Sequence, residues 1–155
     1  MREFFTDEYA ALDEAARLSL AATLAEIEKI CFSDPWSATA FSEAFDNRVI
    51  KLFTLYEDKT LVGYALYALI APEAELLNLA ILPTYRRKGL AAALLDYADA
   101  YLEEHDVSDV YLEVRRSNIA AQALYLARGF REVGIRRAYY RFPTEDAILM
   151  ALSLT

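Results

Sequence analysis

Apolar residues recur along this chain at two spacings, and the switches between them outline helices and strands. From Asp7 to Phe32, Leu12, Ala16, Leu20, Leu24, Ile27 and Cys31 return every three to four residues, which predicts a helix with one buried face and with Asp13 and Ser19 as candidate caps. Ahead of it only the short run Arg2 to Thr6 has strand character, so the first edge of the sheet is weakly marked. Ser33-Asp34-Pro35-Trp36-Ser37 ends the helix, because proline cannot continue it, and Ser37 can cap a second helix from Ala38 to Phe45. The β-rich runs Val49 to Tyr56 and Thr60 to Ile70, joined by Glu57-Asp58-Lys59, read as a hairpin. Ala71-Pro72-Glu73 then leads into a nearly continuous apolar strand, Glu75 to Ile81, which Pro83 closes.

A long helix begins near Gly89 and runs to about Leu102, with Leu90, Leu94, Ala98 and Leu102 on its stripe. Val107 to Arg115 alternates with period two: Val110, Leu112 and Val114 face one way and Tyr111, Glu113 and Arg115 the other. Ser117-Asn118 caps a short helix that Gly129 ends, and Phe130 to Tyr140 and Ala147 to Leu154 complete the sheet. The pattern is that of an α/β (α+β) protein, an antiparallel meander feeding a central strand.

Composition narrows the class. A chain of 155 residues, 56% hydrophobic and without low-complexity tracts, suits a single domain over residues 1–155 with a substantial core. No apolar run reaches the roughly 18 residues of a membrane span, and the start, with Glu3, Asp7 and Glu8, lacks the basic and apolar segments of a signal peptide, so a cytoplasmic protein is expected. The lone Cys31, between Ile30 and Phe32, reads as a core residue of a reducing compartment. With one histidine, His105, and no His or Cys cluster, no metal site is expected.

The net charge of −8 is uneven: residues 1–85 carry 6 basic and 14 acidic side chains, residues 86–155 carry 10 of each. An acidic surface disfavours nucleic acid and favours the N-terminus of a basic protein, although solubility alone also accounts for it.

The basic residues gather where chemistry is expected. Arg86, Arg87, Lys88 and Gly89 lie between an apolar strand and a helix start, so cationic side chains coincide with free backbone N–H groups and the positive end of a helix dipole. That is a phosphate site or an ordinary solvated turn. A Walker loop needs Ser or Thr after its Gly-Lys, and a dinucleotide fingerprint needs three glycines; neither is present. Arg86-Arg87-Lys88-Gly89-Leu90-Ala91 instead resembles the R/Q-x-x-G-x-G/A loop of the GNAT superfamily of N-acetyltransferases, which wraps the pyrophosphate of acetyl-coenzyme A. The resemblance implies a GNAT fold, a mixed central sheet of about six to seven strands with helices on both faces, opening between two parallel strands for the pantetheine arm. Periodicity alone does not show that opening.

Glu113 and Tyr125 have the right chemistry for acyl transfer to an amine. The ammonium must lose a proton, which a carboxylate or a relayed water can accept, and the departing thiolate must be neutralised, which a phenol can do. Taken alone, each has a plainer account: Glu113 as a carboxylate paired with Arg115 or Arg128, and Tyr125 as a ring packed among Ala121, Leu124 and Leu126.

A longer match extends the resemblance to the RimI-type alanine N-acetyltransferases. Leu112-Glu113-Val114-Arg115-Arg116-Ser117-Asn118, Ala123-Leu124-Tyr125 and Gly129-Phe130 resemble the subfamily's LEVRxSN, ALY and GF blocks; Pro35-Trp36-Ser37, Arg136-Arg137-Ala138-Tyr139-Tyr140 and Glu145-Asp146-Ala147 resemble its PWS, RRxYY and EDA segments. The resemblance implies Glu113 as general base and Tyr125 as general acid. It implies acetyl-coenzyme A binding by the backbone of Leu79, Ala80 and Ile81, by the loop Arg86, Arg87, Lys88, Gly89, Leu90, Ala91 and Ala92, and by Asn118. Trp36, Tyr139 and Tyr140 would line the substrate groove, with core packing as the other account of each. The implied substrate is the N-terminal alanine of small-subunit ribosomal protein number eighteen, attacked directly in a ternary complex by an enzyme favoured to be monomeric. A broader N-terminal or small-amine acetyltransferase, and a non-catalytic acyl-coenzyme A sensor, are the alternatives. Two positions depart from the pattern: Arg86 stands where many members have Gln, and Ala138 where some have Asn.

Overall fold

In the computed structural model, which describes Met1 to Thr155, seven strands form one mixed sheet: β1 (Arg2–Thr6), β2 (Ile50–Glu57), β3 (Thr60–Ile70), β4 (Glu73–Ile81), β5 (Asp109–Arg115), β6 (Arg131–Tyr140) and β7 (Glu145–Ser153). Their spatial order is β1-β2-β3-β4-β5-β7-β6, so the last strand inserts between β5 and β6. Only β4 and β5 run parallel; the other pairs are antiparallel.

Period-two alternation explains why helices cover both faces. In β2, Ile50 and Leu52 join a core with α1 (Glu14–Cys31) and α2 (Ala38–Phe45), while Phe53 and Leu55 join the core that receives α3 (Leu90–Glu104) and Tyr125 of α4 (Ile119–Ala127). A strand apolar on both sides must be covered on both sides, since each fully buried Leu or Phe contributes about 1.5–3 kcal/mol. No helix is long and apolar enough to cross a membrane.

Two expectations change at the N-terminal end. The helix starts at Glu14 rather than Asp7, with Asp13 as its cap, accepting the Ala16 N–H at 2.8 Å, and Ser19 inside it. Residues Glu8–Ala11 form a 3-10 turn instead, because Asp7 turns its carboxylate to the Leu52 N–H (2.7 Å) and the Lys51 ammonium (3.1 Å), and Tyr9 stacks on Phe45 at 4.5 Å. Polar bonds to β2 and one buried ring, both tertiary, thus outcompete helix propagation. The weakly marked first strand is also fully formed: Arg2–Thr6 pairs along β2 from Glu57 to Phe53. The hairpin turn is the two-residue Asp58-Lys59, both at positive φ (48° and 70°), as a tight right-twisted hairpin requires.

Candidate active site

The site begins where β4 and β5 part. Their parallel pairing runs from Glu73 opposite Asp109 to Leu76 opposite Leu112 and then stops. At that point β4 carries a bulge: Tyr67 of β3 faces Leu76 and Leu66 faces Asn78, leaving Leu77 as the extra residue. A bulge bends its strand and reverses the phase of the side chains beyond it. Accordingly Ala74 and Leu76 before it point to the α3 core, whereas Ala80 after it points to the α1 core. The bent strand leaves its β5-facing edge without a ladder from Leu77 onward, and a cleft of about 640 Å³ lies between Leu76–Leu79 and Leu112–Arg115.

Glu113 and Tyr125 both line this cleft, from opposite faces of the sheet. Glu113 lies opposite the apolar side of β5, whose Val110, Leu112 and Val114 pack in the α3 core together with Tyr125. The Glu113 side chain is 15% exposed, and its Oε1 lies 3.1 Å from Nε of Arg136, which is 57% exposed. Its ionic partner is therefore Arg136 of β6, not Arg115 or Arg128 as the plainer sequence account had it. Arg128 instead pins α4 to α3, reaching Asp96 at 2.9 Å and Asp99 at 2.8 Å. Burial, then the neighbouring Glu113, raises the carboxyl of Glu75, which lines the cleft together with Glu28, Asp34 and Glu113.

Tyr125 is 7% exposed and its ring meets Phe130 edge-on at 5.5 Å. Burial first, then the adjacent Tyr140, pushes its phenol well above the ordinary range, so it holds its proton at any physiological pH.

The basic loop lies beyond the end of β4. Gly89 is the N-cap of α3 at φ 72°, in open space where a Cβ would stand, and no side chain caps the helix, so the first-turn N–H groups of Leu90, Ala91 and Ala92 are open to an anion. Leu90 contributes backbone only, because its side chain is in the core. Arg86 is partly committed elsewhere: its Nε donates to the Ile81 carbonyl at 3.0 Å, which ties the loop to β4. Arg87 is exposed at φ 63°, and Lys88 sits over the Tyr85 ring at 5.3 Å. Of the three β4 residues named from the sequence, Leu79 lines the cleft, while Ala80 and Ile81 are buried beyond it. Asn118 lines it as well; its Oδ1 caps α4 through the Ala121 N–H at 3.1 Å.

Trp36, Tyr139 and Tyr140 stand around the same opening. Tyr139 meets Tyr140 edge-on at 5.1 Å, and Tyr140 is held over the opening by a network that sequence reading did not find. Arg115 lies over the Tyr140 ring at 4.4 Å and donates to the carbonyls of Arg141 (2.7 Å) and Pro143 (3.1 Å) and to Glu145 (3.0 Å). Glu145 also accepts the Ser117 N–H and hydroxyl, so Arg115 above all keeps its carboxyl below the ordinary range. The Glu145-Asp146-Ala147 segment was the signal available for this network. Glu28 and Asn78, also on the cleft wall, had no such signal.

The family profile for "Acetyltransferase (GNAT) family" matches residues 21–130. The chain belongs to the GNAT acetyltransferase family. It is 41% identical over 133 residues to the [ribosomal protein bS18]-alanine N-acetyltransferase of Escherichia coli strain K12, covering 83% of this chain and 88% of that one. The crystal structure of the ribosomal-protein-S18-alanine N-acetyltransferase from Escherichia coli superposes with a TM-score of 0.86 at 34% identity, over 100% of this chain and 95% of that one. A GNAT-family acetyltransferase from Elizabethkingia anophelis, solved with acetyl-coenzyme A bound, shares the fold with a TM-score of 0.73 at 13% identity, over 98% and 97% of the two chains. This GNAT member is an N-acetyltransferase of the RimI type, and its mixed seven-stranded sheet is the GNAT fold.

Proposed function

We propose that this N-acetyltransferase moves the acetyl group of acetyl-coenzyme A to the N-terminal α-amine of a protein, with the N-terminal alanine of ribosomal protein bS18 as its substrate, by direct attack in a ternary complex. The observation that carries the reading is the cleft through the sheet with an acid on one side and a base on the other. Acetyl-coenzyme A, when bound, supplies an acetyl thioester activated for transfer to an amine.

The chain's own groups fit that ligand. The parted edge of β4 from Leu77 to Leu79 offers unladdered backbone groups to the amides of a pantetheine arm, and a backbone N–H there can polarise the thioester carbonyl, a contribution of about 3 kcal/mol in other acyl-transfer sites. The open first turn of α3, with Arg87 and Lys88 beside it, suits a pyrophosphate. On the other side Glu113 accepts a proton from the incoming ammonium, whose ordinary pKa near 8 asks only for a modest base. Tyr125, kept neutral by burial, donates to the departing sulfur. Trp36, Tyr139 and Tyr140 flank the entry for the first residues of the peptide, where Asp34, Glu75 and Glu113 stand beside Arg115 and Arg141 and offer carboxylates to an incoming ammonium.

A panel of peptides on the bS18 N-terminal sequence, varied only at the first residue, tests the substrate. Acetylation several-fold faster with Ala than with Met, Ser or Gly is expected. Equal rates across the panel would replace this reading with a broader N-terminal acetyltransferase.

A further inference from the structure

Glu28 lies on the inner face of α1 and is 1% exposed. Removing a carboxylate from water is costly unless its oxygens are fully engaged, and an apolar residue of similar size usually serves packing as well or better. Glu28 has no cation beside it. Instead Oε1 accepts the backbone N–H of Trp36 at 2.9 Å, and Oε2 accepts the hydroxyl of Tyr64 and, at 3.2 Å, the side-chain amide of Asn78. The three donors belong to three different pieces: the loop between α1 and α2, strand β3, and β4 immediately after its bulged Leu77. Glu28, Trp36 and Asn78 all touch the cleft. Behind them the Trp36 ring rests on Phe41 at 5.3 Å, and Phe41 meets Tyr64 edge-on at 5.7 Å, so the hydrogen bonds and the aromatic stack fix the same loop.

We propose that Glu28 is a positioning residue for the acceptor peptide: it fastens the Phe32–Ser37 loop to β4, setting Trp36 as a wall of the peptide entry at a fixed distance from the parted strand. The assignment rests on the N-terminal acetyltransfer reading for the identity of the ligand, but not for the clamp itself. Both carboxylate oxygens face donors, so the isosteric amide of Glu28→Gln must present its own N–H₂ to one of them. Turned toward the Trp36 N–H, which can only donate, the amide costs that N–H its acceptor; turned toward Tyr64 and Asn78, it is received only if the hydroxyl and the amide both reverse their hydrogen bonds. The acceptor side loosens, while the basic loop and Tyr125 are untouched.

Trp36 is the only tryptophan in the chain, so its fluorescence reads the clamp without any turnover. The test is Glu28→Gln beside wild type, with far-UV circular dichroism to establish folding, Trp36 emission and acrylamide quenching, and separate KM values for a free-amine Ala-Arg-led peptide and for acetyl-coenzyme A. The expected result is a red-shifted, more readily quenched Trp36 and a peptide KM raised about tenfold, as loss of one such bond implies. The KM for acetyl-coenzyme A and kcat at saturating peptide stay within about twofold. Glu28→Asp, which keeps both acceptors on a shorter arm, recovers part of the peptide KM. Unchanged fluorescence, or peptide and acetyl-coenzyme A KM values rising together, overturns the assignment. If the wild type acetylates no peptide, the functional reading fails while the fluorescence still decides the clamp. If Glu28→Gln does not fold, Asn78→Ala is measured instead, with a smaller rise in peptide KM and a smaller shift of Trp36 expected; neither change occurring overturns the assignment.

Discussion

Replacing Tyr125 by Phe separates chemistry from packing more cleanly than any other single change in this site. The ring is buried against Phe130, and its hydroxyl opens on the cleft without a protein partner, so the variant keeps the ring packing and strands no donor or acceptor. Stability should therefore move by less than about 1 kcal/mol. The rate should move far more. Loss of a general acid typically costs 10²–10⁴-fold, but the leaving group here is a thiol with an ordinary pKa of roughly 8.5, a tolerable anion even unprotonated. The low end applies, about 10²-fold in kcat or ~2.7 kcal/mol of barrier.

The pH dependence follows from the direction of the shift. A phenol raised by burial keeps its proton until pH climbs through the raised value, so Tyr125 imposes no loss of activity between about pH 8 and 10, where an ordinary tyrosine begins to titrate. The assay is thiol release at saturating peptide across that range, with acetyl-coenzyme A affinity measured by titration. A kcat within about threefold of wild type, or equal losses in kcat and cofactor affinity, would remove Tyr125 from the acid role.

Three further changes probe the rest of the account. Glu113→Gln should slow the reaction most at mildly acidic pH, where more of the amine is protonated; a rate within a few-fold of wild type across a pH series would show that Glu113 is not the base. Gly63→Ala would place a Cβ 2.4 Å from the Ile81 Cδ1 and 2.8 Å from the Ala80 carbonyl oxygen, and the backbone of β4 has little room to yield. A loss of about 1–3 kcal/mol is expected, read as a lower thermal midpoint; an unchanged midpoint would contradict the tight β3–β4 packing. Ala138 sits at φ 53°, a left-handed conformation that costs an ordinary L-residue roughly 1–2 kcal/mol and that Asn tolerates. Ala138→Asn should therefore raise stability by about 0.5–1 kcal/mol in denaturant titration, and destabilisation would argue against that backbone geometry.

How much of this was legible in the sequence depended on whether a feature was local. The apolar strand, the basic loop and the capped helix after it follow from residues next to one another, and α2, α3 and α4 lie where their caps and stripes put them. The bulge at Leu77 was hidden because Leu76, Leu77 and Leu79 are all apolar, so no break in alternation marks the change of phase. With it went the physical origin of the cleft. The insertion of β7 between β5 and β6 is a long-range pairing with no local sign. The 3-10 turn after Asp7 was hidden because the helical stripe leads up to it and the Asp7 carboxylate that holds it bonds to Leu52, far along the chain. Glu113 and Tyr125 were chosen for chemical type and resemblance, and the fold brings both to one cleft; Arg136, the partner of Glu113, comes from a strand whose register no local pattern reveals. Glu28 escaped notice because a single acid on an amphipathic helix reads as surface until the strands behind it are placed.

The central claim is transfer to a protein α-amine through this cleft. It is tested most directly by mass spectrometry of an Ala-Arg-led bS18 peptide incubated with the protein and acetyl-coenzyme A, beside the same peptide already blocked at its N-terminus. The account predicts a single added acetyl group on the free peptide, located on the α-amine, and none on the blocked one. Acetylation of a lysine side chain, or equal modification of both peptides, would contradict it.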